Sequence, residues 1–149
     1  MSNISPYEAN SISAFFTVGL ARPGRLMLTN HVERLRLAAE RTRAARPFQL
    51  DAWVVLPDHL HCVMTVPAGD DDFAGRWLEI RRRFCDSLNT TGPIWQRGVR
   101  GQVISGLTDY ADCVRRCWFD PVRHGLVADP NDWFLSSLHD DELLERQAA

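Results

Sequence analysis

The chain has 149 residues, 45% of them hydrophobic and 24% charged, with a formal net charge of −2. That length suits one domain, 1–149, with its own core, and no apolar run approaches the roughly 20 residues that cross a bilayer. The acidic balance excludes a protein that holds nucleic acid by bulk positive charge, although charge is unevenly placed. Residues 129–149 carry six acids against Arg146, while the first 128 residues hold 16 arginines and 13 acids, and lysine is absent throughout. The opening MSNISPYEANSIS has no basic stretch followed by an apolar one, so a cytoplasmic protein is expected. Cys62, Cys85, Cys113 and Cys117 should there be reduced and mostly buried.

After a loosely ordered tail over 1–11, Ile12–Leu20 is rich in β-branched and aromatic residues and stops at Arg22-Pro23-Gly24, which predicts a first strand. Thr29 or Asn30 can cap a helix to about Ala45, with Val32, Leu35, Ala38, Ala39 and Thr42 at helical spacing. Phe48–Leu56 reads as a second strand that turns at Pro57-Asp58 into a third, His59–Val66. Side chains alternate along a strand, so His59 and His61 point to one face, and Leu60, Cys62 and Met64 to the other. Two imidazoles on one face are either metal ligands or polar residues on the wetter side of a half-buried strand. Cys62 belongs to the core in either case.

The acids of AGDDD stand at the start of the next helix, where the macrodipole favours them. Phe73, Trp77, Ile80, Phe84 and Leu88 make its apolar stripe, and Arg76, Arg81, Arg82 and Arg83 lie off it, as a solvated face would. Residues 97–104, RGVRGQVI, predict a strand weakened by Gly98 and Gly101. Thr108 is placed to cap a last major helix, with Tyr110, Val114, Cys117 and Trp118 inward, ending near Asp120 because Pro121 disfavours a helical residue before it. Cys113 and Cys117 share a face of that helix and are read as packing. DPVRHGLV, residues 120–127, is a structured exit, and 138–149 a second loosely ordered tail.

The predicted order is βαββαβ and a further C-terminal helix. That is an α+β, ferredoxin-like antiparallel sheet with helices packed on one face and the histidine strand at its centre.

LPDHLH, the RRRF helix, Ile94-Trp95-Gln96-Arg97, DPVRHGLV, and Asp132-Trp133 with Ser136-Ser137 occur in order along nearly the whole chain. Together they resemble the REP-associated tyrosine transposases, a branch of the HUH single-strand transposases. The resemblance implies the ferredoxin-like fold and action on single-stranded or hairpin DNA through a 5'-phosphotyrosine link. It implies a divalent cation, Mg or Mn, at His59, His61 and Asp120, where Asp120 stands in place of the family's usual asparagine. It also exposes a departure. Four residues before Asp120, where the family carries its nucleophile, this chain has Arg116, and arginine cannot attack a phosphate. Tyr110 lies about 120° round the helix and roughly 9 Å along its axis from position 116. A second departure is Gly98-Val99-Arg100-Gly101-Gln102, which loses an acid and a histidine common in the family.

The expected function is therefore DNA binding by a transposase relative without tyrosine-dependent cleavage. Arg116 would contact phosphate or pair with Asp120, and Arg76, Arg81, Arg82, Arg83 and Arg123 would bind DNA. A metal-dependent nuclease using bound water is the alternative, and a ferredoxin-like metal- or partner-binding module without DNA affinity the third reading. A monomer is favoured over a dimer.

Overall fold

The computed structural model describes residues 10–89 and 93–140. Its elements are β1 (Ile12–Gly19), α1 (Met27–Asn30), α2 (Val32–Ala45), β2 (Gln49–Val55), β3 (His59–Val66), α3 (Phe73–Leu88), β4 (Arg100–Val103) and α4 (Gly106–Arg123). Short 3-10 turns follow at Pro130–Asp132 and Ser137–His139. The strands lie in the order β2-β3-β1-β4, and every neighbouring pair is antiparallel. β3 inserted between β1 and β2 is the split βαβ arrangement expected of the sequence. It puts the histidine strand inside the sheet, where every residue after His59 is buried.

Helices cover both faces of the sheet, not one. Phe16, Leu60, Cys62 and Met64 point to one side, against Leu35 and Ala38 of α2 and Trp77, Ile80 and Phe84 of α3. Phe15, Ala52, Val54 and Val63 point to the other, against Cys113 and Cys117 of α4. Central strands that are apolar on both faces need two covering layers, and α4 supplies the second. Each fully buried side chain such as Phe84 contributes about 1.5–3 kcal/mol of transfer free energy. Cys62, Cys113 and Cys117 are free thiols within these two cores, as packing predicts.

Three helix ends depart from expectation. Residues 27–30 form a turn of their own, so His31 precedes α2, and the Thr29 hydroxyl donates back to the Leu26 carbonyl instead of capping. α4 starts at Gly106 and runs through Pro121 to Arg123 rather than stopping at Asp120. Pro121 has no N–H for the Cys117 carbonyl, a loss that usually ends a helix. Here Asp120 and Pro121 are buried, and the helix resumes beyond them with His124 N–H donating to the Asp120 carbonyl at 3.0 Å.

The C-terminal motif closes the β2 edge. Val55 N–H donates to the Leu135 carbonyl at 2.9 Å, and Ser137 Oγ accepts from Trp53 N–H and from Trp118 Nε1, each at 2.9 Å. Trp133 Nε1 donates to the Val55 carbonyl at 3.0 Å. An edge strand left open is a template for unwanted pairing, so this segment protects the sheet. Leu138 and His139 therefore belong to the fold and not to a tail. The rest of the expected tails lies largely outside the described residues, at 1–9 and 141–149.

Candidate metal centre and nucleic-acid face

The strand register sets the site. Gly19 lies opposite His59, Thr17 opposite His61, and Arg100 of β4 opposite Thr17 on the other side. Residues directly opposed across strands share a face, so Arg100, Thr17 and His61 make one row on the α4 side of the sheet. α4 brings Asp120 down onto that row. Asp120 Oδ2 lies 2.8 Å from His61 Nε2, 3.2 Å from His59 Nε2 and 3.3 Å from His124 Nε2.

The remaining nitrogens of the two strand histidines are held from behind. His59 Nδ1 is 2.8 Å from Asp58 Oδ1, and His61 Nδ1 is 2.9 Å from Thr17 Oγ1. Such partners fix ring orientation and leave Nε2 to face the centre. Asp58 is anchored in turn, because its Oδ2 accepts from Gly24 N–H at 2.7 Å. The side chains of Asp120 and His61 are 6% and 11% exposed, against 50% for His124, so the cluster opens towards solvent on the His124 side.

Burial pushes the Asp120 carboxyl up. Hydrogen bonds from His59 and His61 and the nearby charges of His61 and His124 outweigh it, and the group sits well below the ordinary carboxylate range. Burial likewise disfavours charge on His59, but hydrogen bonds to Asp120 and Asp58 reverse the sign and raise it. An ionised carboxylate among imidazole nitrogens is a donor set suited to a divalent cation.

Asp120, 59 residues beyond His61 in sequence, is thus brought to His59 and His61, as the resemblance implies. His124 joins them unforeseen. Its ligand atom and those of His59 and Asp120 all lie within 4.8 Å of one another. The spacing of four from Asp120 was the available signal, hidden by reading Pro121 as a helix end. Arg100 was likewise missed, because a Gly-interrupted segment does not reveal its register.

Arg116 does not pair with Asp120, whose partners are the three imidazoles. Its guanidinium carbon lies 4.5 Å from the centroid of Phe15, and Phe15 stacks on His61 with centroids 5.4 Å apart. A cation over an aromatic face is favourable, while the one-turn ion pair would have displaced imidazoles from Asp120. Tyr110 offers no substitute nucleophile. Its hydroxyl donates to Asp51 Oδ2 at 2.5 Å, and burial and that carboxylate push the phenol strongly upward. Tyr7 lies outside the described residues.

The arginines of α3 are not one solvated face. Arg76 is 2% exposed and donates to Asp70, to the Asp72 carbonyl and to the Pro47 carbonyl, so it braces the fold and is closed to phosphate. Arg81 donates to the Gln96 and Gly98 carbonyls and lies over Trp95. Arg82 pairs with Asp86 at 3.4 Å and Arg83 with Glu79 at 3.7 Å. These residues belong to the helical layer opposite the histidines. On the histidine side, Arg100 lines a cleft of about 240 Å³ together with Thr17, Asp58, His59 and Gln96, and Arg123 is exposed at the end of α4.

No helix among the described residues is long and apolar enough to cross a membrane. No family model matches the chain. It is 38% identical over 141 residues to the REP-associated tyrosine transposase of Escherichia coli (strain K12), covering 95% of this chain and 85% of that protein. It is 31% identical over 140 residues to a putative REP-associated tyrosine transposase of Haemophilus influenzae, covering 85% of this chain and 80% of that one. A solved structure of a REP-associated tyrosine transposase bound to a REP hairpin superposes with a TM-score of 0.86 at 38% identity, over 96% of this chain and 86% of that one. A putative transposase from Deinococcus radiodurans, 14% identical with a TM-score of 0.54, shares the fold. With two curated relatives above 30% identity along most of its length, the chain belongs to the REP-associated tyrosine transposases.

Proposed function

We propose that this protein binds single-stranded or hairpin DNA of the REP type, holds a divalent cation, Mg or Mn, at His59, His61 and Asp120, and lacks tyrosine-dependent cleavage. The observation that carries the reading is the contact of α4 with β3. There two strand imidazoles converge on one carboxylate, while the residue one turn earlier on α4 is Arg116. The hairpin-bound relative supports the choice of DNA, and the cation is supported by the approach of His59 and His61 to Asp120 and by a group of ligand atoms that includes His59 and Asp120.

A divalent cation at this point supplies charge stabilisation to a phosphodiester oxygen. The protein's own residues do the rest. Asp58 and Thr17 orient the two imidazoles, and Arg100 and Arg116 place permanent charges on the same face, each able to fork two phosphate oxygens. Arg123 extends that face, and Arg82 and Arg83 serve only DNA that passes round to the α3 layer. Arg116 can hold a phosphate but forms no phosphotyrosine, so bound DNA stays intact. One chain supplies every residue of the site, so a cytoplasmic monomer suffices.

Fluorescence anisotropy at moderate salt tests the binding. A REP-like hairpin with a flanking single strand should bind more tightly than a random strand of equal length, with affinity falling steeply as salt rises. Equal affinities for the two would refute the reading. Incubation with Mg or Mn should leave the DNA whole on a denaturing gel. Nicking without a covalent adduct, abolished in His59→Ala, would instead identify hydrolysis by water. Metal uptake with no DNA affinity would identify a metal- or partner-binding module.

A further inference from the structure

The cation reading leaves one residue of the cluster without a task, His124. We propose that His124 is a fourth protein ligand, making a three-imidazole, one-carboxylate centre that prefers Mn(II), Co(II) or Zn(II) to Mg(II). The proposal rests on the reading of His59, His61 and Asp120 as cation ligands.

The distances fit. Donors about 2.0–2.2 Å from one cation stand roughly 3–3.5 Å from each other, whether the geometry is octahedral or tetrahedral. The Nε2 atoms of His61, His59 and His124 lie 2.8, 3.2 and 3.3 Å from Asp120 Oδ2, so His124 stands almost as near as His59. The rings are splayed and not stacked. His59 meets His61 and His124 edge-on, with centroids 5.0 and 4.9 Å away at interplanar angles of 82° and 66°.

Hydrogen bonding alone accounts poorly for the cluster. A carboxylate oxygen has two lone-pair positions, and Oδ2 faces three imidazole nitrogens. A single cation beside Oδ2 would satisfy it together with His59 and His124, since those three ligand atoms all lie within 4.8 Å of one another. The backbone holds His124 in place, since its N–H donates to the Asp120 carbonyl at 3.0 Å and the Gly125 N–H closes on the Val122 carbonyl at 3.0 Å. Three nitrogen donors are ill suited to Mg(II), which favours oxygen, and well suited to borderline transition cations.

His124 is half exposed, so His124→Ala should fold normally, with an unchanged melting temperature in metal-free buffer. Isothermal titration of wild type with Co(II), Zn(II), Mn(II) and Mg(II) should show the first three binding more tightly than Mg(II). His124→Ala should weaken Co(II) and Zn(II) at least about tenfold, the loss typical of even an outer partner of a metal site. The visible Co(II) spectrum should change with it. Wild-type affinities and an unaltered spectrum in His124→Ala would overturn the assignment while leaving the three-residue site standing. Absence of uptake of all four cations by wild type would overturn both.

Discussion

At the scale of single residues, the proposed loss of tyrosine-dependent cleavage rests on Arg116. Its guanidinium rests on Phe15, and Phe15 on His61, so position 116 already abuts the ring column that leads to the cluster. A single substitution at position 116 tests that proposal. Arg116→Tyr, incubated with Mn and a hairpin carrying a flanking single strand, should yield a protein–DNA adduct that survives denaturing gel electrophoresis. Wild type and the double variant with His59→Ala should yield none. An Arg116→Tyr protein that binds the hairpin but forms no adduct would refute Arg116 as the sole cause of the proposed loss. The identity of position 116 was legible in the sequence, but its stacking was not, because Phe15 lies about 100 residues away on another element.

Among the elements, β4 positions Arg100 although all four of its residues are exposed. Its placement depends on Gly101, which lies opposite Phe16 in the register. A Cβ at Gly101 would come within 2.5 Å of Phe16 Cε1. Phe16 cannot swing aside, because it packs against Phe73 and Trp77 with ring centroids 5.2 and 5.9 Å away. Gly101→Ala should therefore cost about 1–3 kcal/mol in chemical denaturation and also weaken hairpin binding by shifting Arg100. Full stability in that variant would mean that the edge strand yields freely. The sequence showed the glycine as a weak point in a strand, and the close approach that explains it appears only when β4 is laid beside β1.

For the molecule as a whole, Arg76 is the brace that joins the α2–β2 connection to the start of α3. It holds the Pro47 carbonyl and Asp70 at 2.8 Å each from one guanidinium nitrogen. Arg76→Ala should destabilise the protein by about 1–3 kcal/mol, since it removes the buried guanidinium that ties Asp70 to the Pro47 and Asp72 carbonyls, and should alter DNA affinity only through folding. The same pair shapes the pH response. The hydrogen bond from Arg76 holds the Asp70 carboxyl well below its ordinary value of 3.8. A carboxylate with a lowered folded-state pKa contributes stability that is present above its unfolded value and is lost as pH falls through the folded one. The melting temperature of wild type should thus fall as the pH drops below 3.8, and Arg76→Ala should show a shallower fall over the same range. Equal slopes in the two proteins would remove Arg76 as the cause.

Periodicity alone determined the strands, the apolar stripe of α3 and the shared face of His59 and His61, because alternation and helical spacing are local properties of a chain. Burial of Arg76, the passage of α4 through Pro121 and the arrival of His124 beside Asp120 were decided only by the tertiary structure. Each requires groups distant in sequence to offset a local cost: a charge taken out of water, or a helix hydrogen bond lost. Local rules count that cost and not what offsets it.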